Sequence, residues 1–152
     1  MTWQVYDLFR HTQNNGGGVD LDTPGGNGFK VALLTASYSI NQNTDQFWDD
    51  ISANEITGTD YTALGNVCSS PTFGTPDGAG LITFDAANPA AWIQNTGSAF
   101  TDARIAVLLH DTGTASTSRL VCYEDMTSDR SNAAGPFSIT FAAAGIFTLP
   151  RA

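Results

Sequence analysis

Residues 103–125, ARIAVLLHDTGTASTSRLVCYED, carry the clearest structural signal in the chain. The runs 103–110 and 119–125 are rich in aliphatic and β-branched side chains, and the loop between them, 111–118, is small and mostly polar. Two such runs about a polar connection read as the antiparallel strands of a hairpin with a long tip.

The rest of the chain fits a sheet built around that hairpin. FKVALLT at 29–35 is apolar on both faces apart from Lys30, which marks a central strand. LITFDA at 81–86 reads as another, and NPAAWIQ at 88–94 as a shorter one carrying Trp92. PFSITFAAAGIFTLP at 136–150 alternates Phe137, Ile139 and Phe141, then bends or bulges at Gly145 before a final run. NNGGG at 14–18, TPGGNG at 23–28 and SSPTFGTPDGAG at 69–80 are turn regions. The spacing predicts six to eight strands in one all-β domain over 1–152, an antiparallel β-sandwich of jelly-roll or immunoglobulin-like type.

Two helical pieces are expected. Thr2–Gln13 has Thr2 as an N-cap and Trp3, Tyr6 and Phe9 at three-residue steps, but is too short to be stable alone. Its aromatic face must lie either on its own sheet or on another subunit. As an N-terminal arm it would offer Trp3, Tyr6, Phe9 and Arg10 to a partner, since aromatics and Arg are the usual interface anchors. NTDQFWDDISANEI at 43–56 reads as one or two helical turns, with Phe47, Trp48 and Ile51 covering an edge of the sheet and Asp49 and Asp50 turned to solvent.

With 152 residues, 41% of them hydrophobic, the chain has enough material for its own core. Charged residues are only 14%, and the deficit is filled by small polar ones, which suits strands and turns. A net charge of −9 disfavours nucleic acid as a partner. No apolar run is long enough for a membrane helix, and the first residues do not resemble a signal peptide, so a cytosolic origin is expected. Cys68 and Cys122 are then expected as reduced thiols acting as small apolar side chains, and with His11 and His110 they make no zinc spacing.

Catalytic patterns are weak. No G-x-S-x-G elbow is present, and His110 beside Asp111 reads as a strand end at the mouth of the hairpin loop. Asp49, Asp50 and Glu55 come from one local segment, which does not place carboxylates across a cleft. Asp20 and Asp22, or Asp45, Asp49 and Asp50, could gather oxygens for calcium but match no calcium loop. The glycines at 16–28 precede a strand instead of following one, the wrong order for a phosphate loop. No metal or cofactor is expected. Trp48 and Trp92 read as core, and Trp3 as the tryptophan that touches a partner.

The order of segments carries a resemblance. VDLDT, FKVALLTASYSINQNTDQFWDDISANEITGTDYTALG, FDAANPAAW, ARIAVLLHDTG, LVCYEDM and GPFSITFAAAGIFTL together resemble a family of small virion proteins of tailed bacteriophages, over about residues 5–149. The most specific parts are KVALLTASY, ISANEITGT.Y, AR.AVL with the following DTG, and F.I.F...GIF.L. Asp60 stands where the family usually has glycine, and residues 66–80 depart from its pattern. The resemblance implies a structural component of the particle with no catalytic residues. The favoured role is a capsid decoration or cement protein, homotrimeric, bound to the major capsid protein on the outer shell. A tail, neck or fibre-associated protein is the alternative, and a carbohydrate-binding adsorption module a more distant one.

Overall fold

The hairpin expected at 103–125 is the spine of the larger of two sheets. The computed structural model describes residues 2–74, 81–95 and 97–150. In chain order its main elements are β1 (Gln4–Val5), α1 (Asp7–Asn14), β2 (Phe29–Leu34), α2 (Trp48–Ile51), β3 (Asn66–Cys68), β4 (Thr72–Phe73), β5 (Leu81–Asp85), β6 (Ala103–His110), β7 (Arg119–Arg130) and β8 (Phe147–Pro150). Five strands form one antiparallel sheet in the order β1-β7-β6-β2-β3, and three form a second in the order β4-β5-β8. The fold is all-β and sandwich-like, with two short helices.

β2 is central, as its composition requires. Val31, Ala32, Leu33 and Leu34 are all 0% exposed, so both faces of the strand are covered. Cross-strand neighbours share a face. On the first face Phe29, in register with Cys68 and His110, meets Phe84 of β5 at 5.1 Å between ring centroids, and Phe84 stacks on Phe147 of β8. The smaller sheet therefore packs there. On the second face Ala32, Val107 and Tyr123 are in register, and Tyr123 packs on Tyr6 and bonds to Gln42. The segment from Tyr38 to Ile51 covers this side. Each fully buried side chain of this size contributes about 1.5–3 kcal/mol.

The segment at 43–56 folds as its spacing predicts. Trp48 and Ile51 are buried, and Asp49 and Asp50 are exposed. The Asp50 carboxylate reaches back to the start of the turn and accepts from the backbone N–H groups of Gln46 and Phe47 at 2.8 and 2.9 Å. Trp48 N–H donates to Ser118 O and Leu120 N–H to Gln46 O, so this corner closes the β7 edge beyond β1.

Four expectations need correction. The N-terminal helix spans Asp7–Asn14 with Tyr6 as its N-cap residue, because Gln4 and Val5 are drawn into the ladder with β7. Residues 137–141 bury Ile139 and Phe141 alternately but form no strand; only Phe137 bridges, to Trp92. That same bridge is all that remains of the strand expected at 88–94. The turn region expected at 69–80 contains β4, while residues 75–80 lie outside the described residues. The bend at Gly145 is real: φ is +100°, and a β-carbon there would fall 2.3 Å from Thr83 Cγ2.

Candidate binding groove

The aromatic residues named for a partner are core residues. Trp3, Tyr6 and Phe9 are 8%, 0% and 2% exposed, packed on Phe141, Tyr123 and Phe147 respectively. The N-terminal segment is thus not a projecting arm. Pairing of Gln4 with Tyr123 and Val5 with Cys122 places alternate side chains on opposite faces of the sheet: Val5 is buried, and Gln4 is exposed and accepts from Gln42 and the Tyr123 hydroxyl. Of the four residues only Arg10 is exposed.

A recess remains beside these rings. A pocket of about 460 Å³ lies between β1 and β8, each the terminal strand of its sheet, with the start of α1 along one wall. Trp3, Val5 and Phe147 give it apolar lining; Gln4, Asp7, Arg10, Gln42 and Thr148 give it polar lining. That size suits a small ligand or a few side chains. Gln42 is held in place, its Nε2 donating to Gln4 Oε1 at 3.2 Å and to the Tyr123 hydroxyl, which itself donates to Gln4 Oε1 at 2.9 Å. The Trp3 indole N–H is buried and has no acceptor. Among the described residues Arg10 is the one Lys or Arg side chain with no ion pair, hydrogen bond or ring contact. Lys30 pairs with Asp111, Arg104 with Asp125 and Asp129, Arg119 lies over the Phe47 ring, and Arg130 donates to Met126 O.

Apart from Asp49, which is exposed, the acidic candidates are committed to the fold. Asp45 accepts from the Tyr38 hydroxyl at 2.6 Å and from Asn41 N–H at 3.0 Å. Asp20 Oδ1 accepts from the N–H groups of Asp22 and Thr23, and Asp22 Oδ1 from Phe73 N–H. Glu55 Oε1 accepts from the Tyr61 hydroxyl at 2.8 Å and from Leu64 N–H, while Leu33 N–H of β2 donates to that same hydroxyl at 3.0 Å. This clip lines a second pocket of about 350 Å³ and ties the 55–64 loop to the central strand. Burial pushes the Glu55 carboxyl above its usual range, and the two hydrogen bonds only partly offset it.

His110 ends β6, with Nε2 2.8 Å from Gly25 O. The neighbouring Asp111 proves more important than the sequence indicated. It is 1% exposed and takes Lys30 Nζ at 2.8 Å, Asn27 Nδ2 at 3.1 Å and Gly113 N–H at 2.8 Å. Asp60 has no positive φ, and its carboxylate accepts from Asn95 N–H at 3.1 Å. Cys68 and Cys122 are free and buried, and Trp48 and Trp92 are core.

Among the described residues no group of three His, Cys, Asp or Glu side chains is placed to hold a metal ion, and no helix is long and apolar enough to cross a membrane.

Comparison of the chain with protein-family models, curated proteins and solved structures finds no match.

The groove therefore stands on its own geometry. It brings together Trp3 and Arg10 but neither Tyr6 nor Phe9, and adds Gln4, Asp7, Gln42 and Thr148, for which the sequence held no local signal. What it offers is binding: two donors, the Arg10 guanidinium and the Trp3 N–H, that the fold leaves unsatisfied.

Proposed function

We propose that the chain is a non-enzymatic structural protein of a tailed-bacteriophage virion, bound to the outside of the capsid, where it stabilises the shell by bridging copies of the major capsid protein. The observation that carries this reading is where the family-like segments fall. KVALLTASY contains most of β2, AR.AVL lies in β6, ISANEITGT.Y runs from the end of α2 to the Tyr61 clip, and GIF.L leads into β8. The likeness follows the framework of the fold instead of one surface loop. The commitment of His110, Asp111, Asp50 and Glu55 to turns and strand ends supports a binding role over a catalytic one.

Such a protein acts through binding free energy alone. A copy that binds the assembled shell but not its dispersed subunits stabilises the assembly by mass action. Repetition over the lattice multiplies the effect, and linked contacts in a symmetric oligomer add avidity. A homotrimer matches the three-fold positions of a capsid lattice, and closed symmetry is the rule for oligomers. Neither nucleic acid nor membrane enters this scheme, and assembly takes place in the host cytoplasm.

The test is cryo-EM of particles assembled with and without a labelled copy. Density distributed over the shell, together with a lower shell melting temperature when the protein is withheld, is the expected result. A single ring at the neck or tail would move the protein there, and particles carrying no label would reject the reading. Light scattering on the purified protein should give the mass of a trimer.

A further inference from the structure

We infer that the groove between β1 and β8 is a carboxylate-binding site that takes an acidic, extended segment of the shell protein, anchored on Arg10. This rests on the docking role proposed above and adds the chemistry of the contact.

Three observations converge on it. The first is the isolation of Arg10. The chain has fifteen Asp and Glu for six Lys and Arg, so acids are available to every cation, and each other described Lys or Arg has taken a partner. Arg10 has none, although Asp7 lies one helical turn away in the lining of the same pocket. A guanidinium left unpaired on so acidic a molecule is available to a carboxylate from outside, and its planar fork fits that group in bidentate fashion.

The second is the indole N–H of Trp3. Trp3 lines the groove and is 8% exposed, and its buried indole N–H lacks an acceptor, a state that buried donors rarely tolerate. An oxygen entering the groove would satisfy it. Glu124, which follows Tyr123 on β7, also keeps an unsatisfied buried oxygen, yet makes no bond to this indole.

The third is shape. The recess runs between two terminal strands and is about 460 Å³ in volume, room for a short stretch of extended chain but not for a helix. Asp7 sets the selectivity. Its carboxylate repels an acid placed on its own side, so an occupant must seat its charge on Arg10.

The test titrates the isotope-labelled full chain with a capped hexaglutamate peptide and with its hexaglutamine counterpart, read by NMR on the Trp3 indole and Arg10 Nε signals. Hexaglutamate should shift both signals saturably, and hexaglutamine should shift neither. Arg10→Ala should weaken binding roughly tenfold, Trp3→Phe severalfold, and Asp7→Asn should tighten it. An absence of shifts at about 1 mM peptide, an unchanged affinity read at the Trp3 signal in Arg10→Ala, or weaker binding in Asp7→Asn would overturn the site. On isolated shells Arg10→Glu should lower occupancy by roughly tenfold. Equal occupancy would remove the groove as the docking contact and leave shell binding intact. A wild-type chain that ignores shells would instead sink the proposed function, with the peptide titration still deciding whether the groove binds carboxylates.

Discussion

Lys30 Nζ lies 2.8 Å from Asp111 Oδ2, joining the central strand to the head of the β6–β7 loop. The carboxylate also holds Asn27 Nδ2 and Gly113 N–H, and Ser118 Oγ lies 3.3 Å from Oδ1. Asp111→Ala should therefore cost about 2–3 kcal/mol in urea denaturation, since it strands several donors at once. Lys30→Met should cost less, because the lysine is 19% exposed and Asp111 would keep its other donors. Equal losses would show that the ion pair, not the loop network, carries the stability.

Two carboxyls should move stability in opposite directions as the pH falls. The raised pKa of Glu55 means that the folded protein takes up its proton more readily than the unfolded chain. Its protonation therefore adds stability as pH falls through the folded value toward the unfolded one, about 4.3. Asp111 behaves conversely. Burial works against its charge, but Lys30, Gly113 N–H and Asn27 outweigh burial and hold its pKa below the usual range. Its contribution is complete above about pH 3.9 and is lost as pH drops through the lowered folded value. Urea midpoints should peak in mild acid and then fall. Glu55→Gln should shrink the rise and leave the fall; an unchanged profile would contradict the assignment.

Truncating the N-terminus should unfold the protein and not merely release it from a partner. Phe9→Ala should cost about 3–5 kcal/mol, and deletion of residues 1–12 should abolish the cooperative thermal transition. Arg10→Ala should stay within about 0.5 kcal/mol of wild type. Circular dichroism melts check all three, and a truncated chain that melts cooperatively near the wild-type temperature would disprove the packing described for β1 and α1.

Gly65 has a φ of +70°, and a β-carbon there would lie 1.7 Å from the Val31 carbonyl oxygen and 2.8 Å from Ala32 Cα, both backbone atoms of the central strand. Gly65→Ala should cost about 3 kcal/mol or more, because neither the left-handed turn nor β2 can yield cheaply. Native-like stability in that variant would mean that the Leu64–Gly65 turn is free to move away from the strand.

Both thiols should be inert in the native state. Burial pushes the Cys68 thiol up to about 12 and raises Cys122 well above its ordinary value. Reaction with a thiol reagent at pH 8 should therefore wait for unfolding and speed up together with loss of the far-ultraviolet signal. Rapid labelling of the folded chain would refute the burial of at least one of them.

The elements that were legible in the sequence are those whose partners are local or whose composition is extreme. The β6–β7 hairpin announces itself through two aliphatic runs about one loop, and β2 through apolar residues on both faces. The alternation from Phe137 to Phe141 showed which side chains turn inward, but a period of two arises in any extended chain, paired or not. The placement of Trp3 was hidden for another reason. Three-residue steps joined it to Tyr6 and Phe9 as one helical face, yet Gln4 and Val5 pair with residues of β7 far along the chain, and no local pattern records so distant a contact. The groove inherits this obscurity, because its walls come from both ends of the sequence. The role of Asp111 left no mark beside His110 because its main partner, Lys30, belongs to another strand.

The pairing of Val5 with Cys122 also fixes an order of events during synthesis. β1 leaves the ribosome well ahead of β7 and cannot be seated until β7 has followed it, so Trp3, Tyr6 and Phe9 stay uncovered until then. Contacts of such long sequence separation slow folding. Over that interval the nascent chain carries three uncovered aromatic side chains in water, a state open to non-native association.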